Sequence, residues 1–193
     1  MSSSSTAPDA VSAIHARRSI KRFTDQPVSR EQIEHLLEAA VQAPNHRMTE
    51  PWRFYVLGPQ ARRAFGEVLG GRKARKVEDP EAARLVREKV AHEHEALPAM
   101  LAVAMVLDDN PEIREEDYAS TMMAIQNLTV VAATVGLGTH IKSGAVMDDP
   151  GARAAIGVPE GQRVVATIPL GVPAEIPSPK QRSAATSFTT WRD

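Results

Sequence analysis

Two rhythms of apolar residues run along this chain, one at helical spacing and one made of short unbroken runs. In VSREQIEHLLEAAVQAP, Ile33, Leu36, Leu37 and Ala40 recur as one stripe of a helix. Ser29 stands where a cap is wanted, Gln32 follows three residues on as in a capping box, and Pro44 ends the segment. A short helix is expected over 8–16, with Ala10, Val11 and Ile14 on one face. Others are expected over 59–69, behind a Gly-Pro turn, and over 149–156. RFYVL (53–57) reads as a strand. MLAVAMVL (100–107) and VVATIPLG (164–171) are continuous apolar runs whose length and flanks favour strands buried on both faces.

The segment 118–135 breaks the pattern. Met122, Met123, Ile125, Leu128, Val130, Val131 and Val135 go nearly all round it as a helix. Such a helix has to be covered on every side, which points to a dimer core. Residues 70–97 are dense in Lys, Arg and Glu and turn amphipathic from about residue 80. They are expected to form an exposed, charged excursion, with a lid as one use for it. Four prolines between 169 and 179 stop regular structure, so an extended C-terminal arm is expected. There is no internal repeat and no sign of a second domain; 1–193 reads as one domain, with 1–8 a Ser-rich disordered tail.

Charge changes the picture locally. The whole chain carries a formal net charge of −1 over 193 residues, which argues against a general attraction to nucleic acid or anionic lipid. Yet HARRSIKRF gathers Arg17, Arg18, Lys21 and Arg22 within six residues. Guanidinium forks match phosphate oxygens, and a neighbouring Ser hydroxyl adds a donor. RRS at a helix end is therefore a compact phosphate clamp or, more plainly, a solvated basic turn. A nucleic-acid module built on RRSIKR fits poorly, because no aromatics interleave the charges. With no cysteine there is no disulfide, thiolate metal site or cysteine nucleophile. No apolar run reaches bilayer length and the start lacks an apolar leader, so a soluble cytoplasmic protein is expected.

Two further stretches could carry chemistry. In APNHRMTEPW, a polar loop between a helix and a strand offers Asn45, His46 and Arg47 to a ligand; a surface histidine at a capped helix end is the bland alternative. In GLGTHIKSGA, glycines let backbone N–H groups approach a ligand, though it is neither a dinucleotide fingerprint nor a Walker loop. HEHE (92–95) looks metal-like, but on a helix His92 and His94 diverge, so a solvated charged face is expected. Nothing resembles a G-x-S-x-G nucleophile elbow, and no carboxylate pair stands out.

Taken in order, RRSIKRFTDQPVSREQIEHLLEAAVQAPNHRMTEPWRFYVL, GLGTHIKSGA and IPLGVPAEIPSPKQR resemble the nitroreductase family of FMN-dependent oxidoreductases, in particular its small branch typified by YdjA. The resemblance implies an α+β fold with a mixed sheet of about five strands flanked by helices and completed by the partner's C-terminal arm. It implies that Arg17, Arg18 and Ser19 hold the FMN phosphate, with Arg182 joining them and Lys180 nearby. Gln42 and His46 would reach the flavin of the partner subunit; the relative has Arg in place of Gln42, and Glu50 stands where Gln is usual. Ile141, Lys142, Ser143 and Gly144 would lie beside the reactive face of the ring, with Lys142 a cationic partner for reduced flavin. The implied activity is ping-pong hydride transfer from NAD(P)H through flavin N5 to nitroaromatics, quinones or similar acceptors, in a homodimer, with no protein acid, base, nucleophile or metal. A flavoprotein of the same fold that dehydrogenates a substrate, uses oxygen or only binds flavin is the alternative.

Overall fold

The computed structural model describes residues 9–192, so the tail expected over 1–8 lies outside the described residues. Along the chain come α1 (Ala10–Ala16), α2 (Arg30–Ala40), β1 (Trp52–Val56), α3 (Pro59–Ala74), α4 (Pro80–Glu95), β2 (Ala99–Val106), α5 (Pro111–Thr134), β3 (Gly138–Thr139), α6 (Pro150–Ile156) and β4 (Gln162–Gly171), with one 3₁₀ turn at Ala185–Phe188. The strands form a sheet in the order β1-β2-β4-β3, every named pair antiparallel. The expectation of a mixed sheet is corrected accordingly: among the described residues there are four strands, and parallel pairing is confined to one bridge, Ser19 to Thr139.

The unbroken apolar run of β2 is explained by a sheet covered on both faces. Leu101, Val103 and Met105 pack with Leu36, Ile125 and Leu128 of α2 and α5. Met100, Ala102 and Ala104 face the other way, onto Phe65, Ala152 and Ile156 of α3 and α6. Helix α2 is capped as expected: Ser29 Oγ accepts from the Gln32 N–H, and the Gln32 side chain accepts from the Ser29 N–H. Helix α5 starts seven residues before the expected 118, at Pro111, behind an Asn110 cap.

Residues 70–97 are charged outside but packed inside. Helix α3 continues through Gly70 to Ala74, and α4 lies against it. A Cβ on Gly66 would come within 2.8 Å of the Ala91 Cα, and one on Gly70 within 2.8 Å of the Arg87 carbonyl oxygen. The two glycines, one turn apart, are what let these helices touch.

Not every apolar residue finds cover within the chain. On α1 only Ala13 is buried, while Val11 and Ile14 are more than half exposed. Helix α5 buries Thr121, Ala124, Ile125 and Leu128, and leaves Ala119, Met123 and Gln126 exposed along its outer side. The arm from residue 174 to 192 is exposed throughout.

One irregular segment positions the chemistry. Residues 17–25 run extended beside the sheet edge, tied by Ile20 N–H to the Thr139 carbonyl (2.9 Å) and Thr24 N–H to the Val172 carbonyl (2.9 Å). Gly138 is required there, since a Cβ would sit 2.4 Å from Ile20 Cγ1.

Candidate functional site

The extended segment carries its basic residues into two hollows. The first, of about 510 Å³, is lined by Arg17, Arg18, Ser19, Gln126, Lys180 and Arg182, among others. Its lining contains no carboxylate. Arg18 donates to the His15 carbonyl (2.6 Å) and the Arg17 carbonyl (2.9 Å), which fixes its fork at the end of α1. Among the described residues, Arg17, Lys180 and Arg182 have no acidic partner. Four uncompensated cations and a free hydroxyl make a site for a small polyanion, and a phosphate monoester meets that description.

The second hollow, of about 590 Å³, takes up the chain where the first leaves it. Lys21, Arg22 and Asp25 line one side, and Lys142, Glu93 and His94 another. Arg22 is spoken for by Glu175 of the arm. Lys142 is held through its backbone: its N–H donates to the Thr167 carbonyl and its own carbonyl accepts from the Thr167 N–H, both at 2.8 Å. Its ammonium has no acidic partner among the described residues, and burial, with repulsion from Lys73, pushes it below the ordinary lysine value. His140 is likewise pushed down, by burial and then by Lys142 and Lys21.

The residues expected to act together are thus divided. Arg17, Arg18, Ser19 and Arg182 converge on the first hollow. Lys142 belongs to the second. Ile141 packs on the core beneath it, and Ser143 and Gly144 are exposed in the turn that follows. Their amides have no acceptor among the described residues, and Gly144 takes φ 115°, a conformation that favours glycine. These two N–H groups are free to meet a ligand.

Gln42 and His46 line neither hollow. Both are exposed, at the end of α2 and in the loop after it. His46 Nδ1 lies 3.1 Å from Glu116 Oε1, and Arg47 Nε donates to Glu116 Oε2 at 2.9 Å. These bonds hold the Glu116 carboxyl below the usual range, His46 contributing most. Asn45 Oδ1 accepts from the Glu50 N–H (2.8 Å), and Thr49 Oγ1 donates to the buried Asp117 (2.5 Å). Met48 and Glu50 adopt left-handed φ of 50° and 44°. The loop is over-determined by these bonds, as strained loops must be.

His94 corrects the expectation of a solvated HEHE face. His92 is exposed, but His94 is buried at 5 % exposure, on the inner side of α4 with Val90 and Ala91. The signal was available: 90, 91 and 94 make one helical stripe. Lys21 and Arg22, to which the sequence assigned no role, are exposed and line the second hollow.

Known proteins resemble this chain in sequence and in fold. Residues 14–172 match the model of the Nitroreductase family. YfhC of Bacillus subtilis, named as an NAD(P)H nitroreductase, is 34% identical over 171 residues, covering 88% of this chain and 87% of its own. YdjA of Escherichia coli, similarly named, is 28% identical over 166 residues, covering 86% and 88%. A nitroreductase-like protein from Bacillus cereus superposes with a TM-score of 0.83 at 30% identity, over 97% of this chain and 98% of that one. The FMN and NADPH-dependent nitroreductase NfnB from Sphigopyxis sp. strain HMH shares the fold, with a TM-score of 0.74 at 19% identity over 96% and 100%.

Proposed function

The chain belongs to the nitroreductase family of oxidoreductases, and from that premise we propose that it is an FMN-dependent NAD(P)H oxidoreductase working as a homodimer. The observation that carries this is the carboxylate-free hollow of Arg17, Arg18, Ser19, Lys180 and Arg182. Its donors suit the terminal phosphate of FMN, which riboflavin lacks. The second hollow, with Lys142 in its lining and the free amides of Ser143 and Gly144 in the turn that follows, suits the ring. NfnB, a protein of this fold, is FMN and NADPH-dependent.

FMN, when bound, would supply the redox chemistry, carrying hydride equivalents from NAD(P)H to a nitroaromatic, quinone or similar acceptor in two half-reactions. The protein's part is to bind, orient and set charge. Arg17, Arg18 and Ser19 anchor one end. Lys142 would offer a partly desolvated positive charge to the negative charge that reduction adds. Gln42 and His46 lie away from both hollows, which is what the reading requires if their loop completes the site of the other subunit. The exposed stripe on α5 and the uncovered arm provide the surfaces for that pairing, and the arm adds the fifth strand's worth of backbone at the partner's sheet.

Three measurements test this. Apo-protein titrated with FMN and with riboflavin should bind FMN far more tightly. Under argon, NADPH or NADH should bleach the bound flavin, and initial rates against both substrates should give parallel double-reciprocal lines. A protein that binds neither flavin, or binds both equally, refutes the assignment.

A further inference from the structure

His94 has no part in the scheme above, yet its surroundings are unusual. It is 5 % exposed, lies beside the Phe65 ring (centroids 5.9 Å apart) and forms part of the wall of the second hollow. Its Nδ1 sits 2.8 Å from the Val90 carbonyl oxygen. A carbonyl can only accept, so Nδ1 carries the proton, and in the neutral ring Nε2 is left as a bare acceptor. That Nε2 is buried and has no partner. A buried acceptor without a donor is costly and calls for an explanation.

The charges around it explain why the ring stays neutral. Burial comes first, and Lys142 from the turn after β3 and Lys73 from α3 add repulsion, so the imidazolium is disfavoured. The Val90 bond, second only to burial, and less strongly Glu93 of its own helix pull the other way without overcoming burial. Lys21, Arg22, Asp25 and the exposed His92 complete the lining of the hollow. Arg22 is engaged by Glu175, which leaves Lys21 and Lys142 facing Asp25 and Glu93 across the hollow.

We propose that His94 is the proton acceptor of the second hollow, neutral while bound FMN is oxidised and protonated at Nε2 when reduction adds a negative charge there. This rests on the reading of the hollow as the flavin-ring site. The balance is simple. Reduction brings two electrons and one proton as hydride, which lowers the charge of the site by one. His94 then takes one proton from solvent: an N–H bond forms at Nε2 and an O–H bond of the donating water or hydronium breaks. His94 is neither oxidised nor reduced. When the acceptor removes the electrons, the proton returns to solvent. The added negative charge offsets the repulsion from Lys142 and Lys73, and this offset drives the uptake.

The experiment is redox potentiometry of the FMN-loaded protein between about pH 5 and 8, where a histidine titrates. Each proton taken up with two electrons adds about 30 mV per pH unit to the slope of the midpoint potential. The wild type should approach about 60 mV per pH unit over part of this range, and His94→Asn should stay near about 30. Asn keeps a donor in the place of Nδ1 for the Val90 carbonyl and removes the titrating nitrogen. A second measurement needs no variant: in ¹⁵N-histidine-labelled wild type, a solvent-protected imidazole should pass from neutral to charged on dithionite reduction at constant pH. Equal slopes in the two proteins, or a protected imidazole that stays neutral on reduction, would overturn the inference while leaving FMN binding intact. Wild-type protein that takes up no FMN would overturn the functional reading and this inference together.

Discussion

Three cations on one short stretch do different work, and binding can separate them. Arg17 lines the first hollow, Lys21 the second, and Arg22 is tied to Glu175. Arg17→Ala should weaken FMN binding by about 10- to 100-fold, the worth of a hydrogen bond to a charged group, while barely changing riboflavin binding. Lys21→Ala should weaken both flavins to a similar degree. Calorimetric titration of the two variants with the two ligands gives four constants, and equal FMN-to-riboflavin ratios would remove Arg17 from the phosphate. His94 leads to a second expectation, about stability. Its folded value lies below the ordinary 6.5, so the unfolded chain binds the proton first as pH falls. The stabilisation is complete above pH 6.5 and is lost as pH drops below it towards the folded value. His140 is depressed too and contributes in the same direction. Urea midpoints measured from pH 7.5 downward should therefore fall, and His94→Asn should fall less steeply. A variant curve parallel to wild type would mean that His94 titrates normally in the fold.

Within one helix, α3 holds three glycines with opposite expectations. Gly66 and Gly70 meet the backbone of α4, whereas a Cβ on Gly71 would meet nothing within 4 Å. Gly71→Ala should raise stability by about 0.5–1 kcal/mol through lower backbone entropy of the unfolded chain. Gly66→Ala should lower it by about 1–3 kcal/mol, because the clash is with main chain and two helices must part. Urea unfolding at one protein concentration checks both; stabilisation by Gly66→Ala would show that the α3–α4 contact is slack. None of this was legible beforehand, since a helix interior with Gly70 and Gly71 reads as a break, and only the partner helix shows why two of the three are needed. The elements with their own local chemistry were legible: the Ser29–Gln32 box of α2, the short helix α6 to within one residue, the buried run of β2. The start of α5 was not. PEIREED, its first two turns, carries charges with almost no apolar rhythm, so only the Asn110-Pro111 cap marked it. The site followed the same rule. Arg17, Arg18 and Ser19 announced themselves by composition, while His94 showed only in the stripe it shares with Val90 and Ala91 and not in the HEHE tract around it.

For the whole molecule, the surfaces left uncovered are the argument for a second copy. Met123 on the outer side of α5, Val11 and Ile14 on α1, and Phe188 and Trp191 at 81 % and 88 % exposure on the arm find nothing to pack against within the chain. Aromatic residues so exposed at the end of an extended arm suit an interface better than water. The chain has two tryptophans, and they stand in opposite environments: Trp52 is buried in the core at 7 % exposure, Trp191 is bare. This gives a direct optical test. If the arm lies on a partner, Trp191 is covered in the dimer and becomes solvated only when the dimer parts or the arm peels away, whereas Trp52 is covered in both states. Dilution followed by sedimentation velocity and tryptophan emission should show a dimer whose spectrum shifts to the red at the same concentration at which the mass halves. The shift should vanish in Trp191→Phe and persist in Trp52→Phe. Because Lys180 and Arg182 line the first hollow, the proposed phosphate site, from the same arm, FMN should be released over that same concentration range, and added FMN should move dissociation to lower concentration by mass action. A folded monomer that keeps its FMN at low concentration, with Trp191 emission unchanged from the concentrated sample, would show that the arm has no partner and that each chain carries a complete site of its own.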